Sequence, residues 1–510
     1  MTRAYRIDGV RAGIAALGLL SAITWAAACQ DTSATGGTGG SSSSTSGGHG
    51  GSGGSGPITS FAPQGCSFTI APRAEYKDFS LAKPVNGASP NIRRVRLGLG
   101  GNVDVGAAGR ADPSTTFAVA WQTDEGTLAS EIQWGVGADP TQWPAENRAG
   151  GVTWLTPEGT LNAQGDERMH EVYVCGLSPA TTYSYRVGGG PAGSEVWSDV
   201  HTFTTTPKAG AATVKIGITG DSRGQQDDAW RILQRRMSTM GLALQLFSGD
   251  MINLAPDQGE WEKWLDSAWR DDDQKLLTLG QLLTLAAHGN HDNHTALFYG
   301  NLVLPQDNTK YPKYGELFFS VDVGPVHVVV IDDAWVVTPS GDVDYKGIFK
   351  GWLTADLDAA SKNRATVPWI VAMHHHPEYS SSLHGNDQDV LRGREFFGPI
   401  WDKYHVDLVV SGHDHNYERS KPLTGPTDSP TVHSAFADGT VYLVCAGAGA
   451  DSYSAGNSTF TQSSHDYKNG GAIGLYGVLT ADATSLKLDA HELRADGSDP
   501  VFDSFTIDKP

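Results

Sequence analysis

From about residue 213 onward this chain places its apolar residues in short unbroken runs, and five of those runs end on Asp, Asn or His. The segments are 214–221 (VKIGITGD), 242–250 (LALQLFSGD), 284–290 (TLAAHGN), 368–375 (PWIVAMHH) and 406–413 (VDLVVSGH). A short apolar run bounded by turn residues predicts a strand buried on both faces, of the kind found in parallel sheets. Ligands of such sheets bind at the strands' C-terminal edge. Two Asp, one Asn and three His, counting His415, are therefore predicted to meet at one edge of one sheet.

The rest of the pattern divides the chain. Residues 90–207 read as an all-β module, with strand-like runs at 116–123 (TFAVAWQT), 131–134 (EIQW), 170–175 (HEVYVC), 182–187 (TYSYRV) and 200–206 (VHTFTTT). Gly, Pro and Asn turns separate them, which predicts a β-sandwich. Trp121, the segment 177–183 (LSPATTY) and Phe203-Thr204-Thr205 resemble a fibronectin type III-like domain, with Trp121 as core anchor and Tyr183 as corner residue. From Thr213 to the end, strands alternate with helical stretches. Trp230, Leu233, Met237 and Met240 share one helical spacing, and Trp261, Trp264, Leu265 and Trp269 another. Such aromatic stripes predict packed faces. The chain closes on further strands (AIGLYGVLTA, SLKLDAHEL, VFDSFTI).

Composition changes the picture at the N-terminus. Arg3, Arg6 and Arg11 precede an apolar stretch over 12–28 that ends in Ala-Ala-Ala-Cys29. This resembles a lipoprotein-type signal over 1–29, with plain secretion or a retained helix as alternatives. A Gly/Ser-rich tract over 30–57 predicts a flexible tether. The expectation is an exported protein, lipid-anchored at Cys29 to a bacterial membrane or free in the periplasm or outside, with membrane contact only through that anchor. Cys66, Cys175 and Cys445 remain, allowing one disulfide and one free thiol in an open pairing. A net charge of −20 over 510 residues disfavours nucleic acid and favours small phosphorylated substrates over polyanions.

The chemistry-bearing motifs are Gly220-Asp221-Ser222-Arg223-Gly224, Gly249-Asp250-Met251-Ile252-Asn253, Gly289-Asn290-His291-Asp292, His374-His375-His376-Pro377-Glu378-Tyr379 and Gly412-His413-Asp414-His415. Each glycine permits a tight strand-to-loop turn beside an ion. In this order the motifs resemble the metallophosphoesterase (calcineurin-like) superfamily, and with the sandwich they resemble its purple acid phosphatase branch. The resemblance implies a two-domain α+β/all-β chain: a sandwich over 90–207, then a double-sheet αββα domain over 213–510.

It also implies two metal ions. Asp221, Asp250 and His415 would hold the first, and Asp250, Asn290, His375 and His413 the second, with Asp250 bridging. Hard carboxylate and intermediate imidazole without thiolate suit Fe, Zn or Mn. A metal-activated hydroxide would then attack a phosphomonoester, with a diester as alternative substrate. Pro377 and Tyr379 select His375 from its triplet; His374 reads as a packed residue, and His376 as one that faces the pocket if the strand has ended. His291 contacts phosphate and protonates the leaving group, with Asp292 orienting it. His384 matches a second substrate-side histidine or is a loop residue. Two positions depart from the pattern. Asn253 stands where purple enzymes carry Tyr, so no tyrosinate chromophore is expected. Arg223 stands where other members carry a His, leaving the fourth ligand of the first metal to Asn253 or water. Arg223 holds phosphate or pairs with a carboxylate. His288, His294, His405 and His433 read as structural. The missing ligand motivates a further alternative, a non-catalytic surface binding module.

Overall fold

A computed structural model describes residues 58–509, apart from 157–160, 163–166, 225–228, 270–277, 307–309, 312, 340, 426–427 and 468–470. The signal and tether readings lie outside the described residues.

Strands Lys77–Leu81, Val152–Thr156, Glu167–Val174, Phe117–Thr123 and Arg93–Gly98 form one five-stranded sheet in that spatial order. His201–Thr204, Thr182–Gly189, Glu131–Gly135 and Arg148–Gly150 line up in a second sheet, with Val196–Trp197 pairing beside Thr182–Gly189. Trp121 is fully buried between them and stacks on His170 at 4.9 Å. The Tyr183 hydroxyl accepts from Ser178 N at 3.1 Å, the corner bond that fixes the turn before its strand. Cys66 and Cys175 form a disulfide with their Cα atoms 5.3 Å apart, and Cys445 is a buried free thiol.

From Val214 onward the chain forms two mixed sheets. In the six-stranded sheet, Thr284–Ala286, Leu244–Phe247 and Val214–Thr219 run parallel, and Ala472–Ala481, Ser485–Arg494 and Val501–Asp508 extend it antiparallel. In the seven-stranded sheet, Val326–Ile331, Trp369–Met373, Leu408–Ser411 and Val441–Cys445 are parallel, flanked by Phe318–Val323 on one side and by Tyr417–Ser420 and Thr461–His465 on the other. The sheets meet where Val441–Cys445 faces Ala472–Ala481. The expectation of one sheet edge is corrected accordingly: three of the five motif strands belong to one sheet and two to the other. Apolar runs identify buried strands but do not say which strands share a sheet.

Helices are built by simple rules. Asp342 caps Val343–Lys362 by accepting from Asp344 N and Tyr345 N at 2.9 and 3.2 Å, and Tyr345, Phe349, Trp352 and Asp356 recur along its buried face. Gln388–Tyr404 stops at His405, whose φ of 52° closes it in the left-handed region. The stripes with Trp230 and Trp264 meet face to face, their rings stacked 5.1 Å apart.

Candidate metal centre

Each motif strand stops two to four residues before its polar residue, so the side chain sits on a turn rather than in the ladder. Asp221, Asp250 and His413 have φ of 60°, 57° and 70°. Left-handed backbone at non-glycine residues costs of order 1–3 kcal/mol each and gathers at functional sites. Backbone bonds stitch the turns together: Asp221 N donates to Gly249 O at 2.9 Å and Ser222 N to Asp250 O at 3.1 Å.

The adjoining glycines leave room for the ligands. A Cβ on Gly412 would lie 2.3 Å from Asp221 Oδ2, and one on Gly289 would lie 2.3 Å from Asp250 Oδ1. Those positions need hydrogen because the neighbouring carboxylate occupies the space of a methyl group.

The donor atoms converge. His375 Nε2 lies 2.9 Å from Asn290 Oδ1 and 3.4 Å from Asp250 Oδ1, and His413 Nδ1 lies 3.0 Å from the same Asn290 oxygen. His415 Nε2 lies 3.6 Å from Asp221 Oδ1. Backbone carbonyls aim the rings: His375 Nδ1 meets Ser248 O at 2.8 Å and His415 Nδ1 meets Asp451 O at 2.7 Å. Each carbonyl takes an N–H and turns the other nitrogen's lone pair inward, as metal-binding histidines require. All six sequence-predicted ligands are thus brought together, from both sheets.

Electrostatics suit a cation. Burial, then Asp250, pushes the Asp221 carboxyl well above its ordinary range. Burial works against ionisation of Asp250 too, but His375, His291 and Arg223 hold it below. Burial lowers His375 and His413, and burial with Arg223 takes His415 down to about 3, so all three rings are neutral at pH 7. Neutral imidazole is the form that binds metal. Asp221 Oδ2, His413 Nε2 and His415 Nε2 are buried without a hydrogen-bond partner. Buried carboxylate and imidazole atoms left unmatched in this way fit metal ions. Two groups of His and Asp ligands adjoin here, Asp221–Asp250–His375 and His376–Asp389–His413, and support a dinuclear site.

The other predicted residues fall into place differently. His291, partly exposed, turns Nδ1 to Asn253 O at 2.6 Å and leaves Nε2 4.0 Å from Asp250 Oδ2. Asp292 does not orient it, which corrects the expectation. Its buried carboxylate accepts from Gly289, Asp250 and Met251 N–H at 3.0, 2.8 and 2.9 Å. Adjacency in sequence suggested a dyad, but the turn carries the two side chains apart. Arg223 sits with Nε 3.4 Å from Asp250 Oδ2 and donates to Asn253 Oδ1 at 3.1 Å and to Tyr453 OH at 3.2 Å. Asn253 therefore spends its side-chain oxygen on Arg223, and its carbonyl on His291. His384 stands at the rim, its ring 4.6 Å from that of His413 and its Nδ1 2.8 Å from Asp387 Oδ2. His374 is packed, bonded to Asp333 Oδ2 at 2.9 Å and Glu378 Oε1 at 3.0 Å. His376 bonds Asp333 Oδ1 at 2.9 Å with its ring 4.6 Å from His413.

Sequence reasoning missed Ser248, Asp451, Asn253 in its positioning role, and Tyr453, whose ring stacks on His415 at 4.1 Å. Ser248 and Asp451 act through backbone carbonyls, which leave no residue-type signal. Tyr453 arrives on a loop that pairs Ala450 N with Asp221 O and Tyr453 N with His415 O, both at 2.9 Å.

Comparison with known proteins agrees with this geometry. The calcineurin-like phosphoesterase family model matches residues 198–417, and the purple acid phosphatase N-terminal domain model matches 104–205. An uncharacterised protein of Mycobacterium tuberculosis (strain H37Rv) is 31% identical over 228 residues, 40% of this chain and 41% of that protein. Purple acid phosphatase 1 of Ipomoea batatas is 30% identical over 273 residues, 50% of this chain and 52% of that one. The matched stretch thus spans about half the length of these relatives, or less. The structure of purple acid phosphatase PPD1 from yellow lupin seeds superposes with a TM-score of 0.61 at 19% identity, covering 82% of this chain and 74% of that chain, a likeness of fold.

Fold and site together give a metal-binding architecture of the metallophosphoesterase type. The chain belongs to the calcineurin-like metallophosphoesterase and purple acid phosphatase superfamily, with that family's N-terminal domain ahead of the double-sheet domain.

The expected membrane anchor is corrected. The cysteine chemistry of the described residues is a Cys66–Cys175 disulfide with Cys445 buried as a thiol, and no lipid-bearing cysteine stands among them. Cys29 lies outside the described residues, and the anchor reading is withdrawn. Among the described residues no helix is long and apolar enough to cross a membrane.

Proposed function

We propose that this protein hydrolyses small phosphomonoesters. The observation that carries the reading is the set of donors gathered around the Asp221–Asp250 pair: Arg223, His291, Tyr453 and His384. A monoester dianion presents three terminal oxygens and two charges, and charge-assisted donors recognise it better than a diester. When bound, two ions of the Fe, Zn or Mn kind supply Lewis acidity and lower the pKa of water.

The residues divide the remaining tasks. Asp221, Asp250, Asn290, His375, His413 and His415 would hold the ions. Arg223, held flat by Asn253 and Tyr453, offers a guanidinium edge to phosphoryl oxygen. His291, its Nδ1 engaged by Asn253 O, is free to give a proton from Nε2 to the leaving oxygen. His384 presents its outer nitrogen from the rim, because Asp387 holds the other. The disulfide fits export, since such bonds persist in oxidising compartments. With Asn253 in place of Tyr, no purple chromophore is expected.

Turnover of nitrophenyl phosphate against bis(nitrophenyl) phosphate tests the reading. Monoester turnover should exceed diester turnover, and Arg223→Ala should weaken the monoester more. Faster diester cleavage, with Arg223→Ala affecting both alike, would overturn it in favour of a phosphodiesterase.

A further inference from the structure

The two halves of the metal centre are built differently. One gathers Asp250, Asn290, His375 and His413. The other gathers only Asp221, the shared Asp250 and His415, and a cation is set against it. Arg223 Nε lies 3.4 Å from Asp250 Oδ2, with 20% of the Arg223 side chain exposed. Its Nη1 donates to Asn253 Oδ1 at 3.1 Å and its Nη2 to Tyr453 OH at 3.2 Å. Tyr453 is itself tied to this half: its ring stacks on His415 at 4.1 Å, and its N–H donates to His415 O at 2.9 Å. The guanidinium is therefore held beside Asp250 and His415 rather than left to swing into solvent. Asn253 turns its side-chain oxygen to Arg223 instead of offering a fourth donor.

The charge acts where it is held. Arg223 bears electrostatically on Asp221, Asp250 and His415. The charged groups that bear most on His375 and His413 are Asp250, Asp333 and the neighbouring histidines. A guanidinium keeps its proton at every pH a folded protein withstands, so this is a fixed positive charge. Asp221 and Asp250 are buried, and water screens little between them and Arg223. The guanidinium accordingly offsets one of their two negative charges. An ion entering beside Asp221 and His415 meets three donors and one net negative charge. An ion entering beside His375 and His413 meets four donors and the same shared carboxylate.

We propose that Arg223 makes the centre unequal: Asn290, His375 and His413 hold one ion tightly, while Asp221 and His415 hold the other weakly and exchange it with the surroundings. Hydrolysis that needs both ions is then gated by the ambient concentration of metal, and Arg223 sets the threshold. The half-filled state is tolerated because Arg223 stays behind as counter-ion to Asp250, which is otherwise a buried charge short of a partner. The inference rests on the two-ion reading of this centre and not on the choice between monoester and diester.

Mn2+ binding to the metal-stripped full chain tests it, read from the loss of the free-ion electron paramagnetic resonance signal rather than from turnover. Neighbouring groups tune metal affinity by about 10–100-fold, so the wild type should bind one equivalent tightly and a second at least about tenfold more weakly. His415→Ala should abolish the weak step and keep the tight one, and His375→Ala should abolish the tight step. Arg223→Met removes the charge without adding a donor for Mn2+, and should tighten the weak step by about 10–100-fold while leaving the tight step in place. Two wild-type equivalents of equal affinity, loss of the tight step in His415→Ala, or an unchanged weak step in Arg223→Met overturns the proposal and leaves the two-ion reading standing. Fewer than two equivalents in the wild type at saturating Mn2+ overturns that reading and the proposal with it. Should a variant not fold, the wild-type isotherm decides by itself, with two affinities supporting the proposal and one overturning it.

Discussion

At the scale of single residues, the centre is held by groups that never touch substrate. Asp292 satisfies three backbone N–H groups of the turns bearing Asp250 and Asn290, although burial and Asp250 push its own carboxyl up to about 7. Asp292→Ala should therefore act on stability, leaving three buried donors unmatched at about 1–3 kcal/mol each. Chemical denaturation is expected to show a loss of at least ~3 kcal/mol; a stable variant with only a changed pH–rate profile would contradict this. His291→Ala should do the reverse, leaving the denaturation midpoint in place and lowering kcat by about 10²–10⁴-fold, the usual range for a general acid. Gly412→Ala and Gly289→Ala should lose metal affinity, because a methyl displaces Asp221 Oδ2 or Asp250 Oδ1; unchanged metal content on equilibrium dialysis would contradict that. Much at this scale was legible in advance. Gly before Asp221, Asp250, Asn290 and His413, and the Pro377 and Tyr379 spacing that selects His375, are local signals. The partners of Arg223 were not legible, because Asn253 and Tyr453 come from distant turns, 30 and 230 positions away.

Elements are joined by buried ion pairs as well as by apolar faces. His327 on the strand Val326–Ile331 bonds Asp322 at 2.7 Å across its hairpin and Asp356 on the helix Val343–Lys362 at 2.9 Å. Arg110 and Ser320 meet the same Asp356 carboxylate at 3.0 and 2.6 Å. Burial opposes the charge, but Asp356 and Asp322 raise His327 to about 9. A folded pKa above the ordinary 6.5 means that the protonated ring stabilises the fold fully below pH 6.5 and ceases to do so as pH rises through about 9. The wild type should lose on the order of 3 kcal/mol over that window from this group. His327→Gln, less stable at pH 6, should show a correspondingly flatter decline when urea midpoints are compared at pH 6 and 9; an equal decline would contradict the assignment. None of this was read from the sequence, where VHVVVI marks a buried strand and His327 breaks it without explanation. The apolar runs of the five motif strands did predict their positions, yet the division between two sheets depends on Ala472–Ala481 and Val441–Cys445, which arrive late in the chain.

Across the whole molecule, the sandwich and the double-sheet domain share one body. Gly56–Pro510 is a single compact unit. Leu97 N and Leu99 N donate to Leu279 O and Val303 O at 2.7 and 3.0 Å, and buried Arg96 donates to Asn301 O and Gly300 O at 2.5 and 3.1 Å. Arg94 crosses the same boundary to Asp266 and Glu262 at 3.0 and 3.2 Å. Calorimetry should accordingly show one unfolding transition for both domains. Two transitions would mean that the boundary contributes little. Reduction of Cys66–Cys175, which closes 109 positions of chain, should destabilise that single transition by about 2–5 kcal/mol. The boundary itself was hidden from pattern reading. A buried arginine such as Arg94 or Arg96 looks, in sequence, like any solvated charge on a strand.

The hydrolysis proposed for this chain requires metal at the Asp221–Asp250 centre, and the most direct measurement is reversible depletion. The purified protein is stripped with chelator, assayed on nitrophenyl phosphate, reloaded with Fe, Zn or Mn and assayed again beside Asp250→Ala. Turnover should vanish on stripping and return on reloading in the wild type, and stay absent in Asp250→Ala at every metal concentration. Turnover that survives stripping, or that Asp250→Ala retains, would contradict the account.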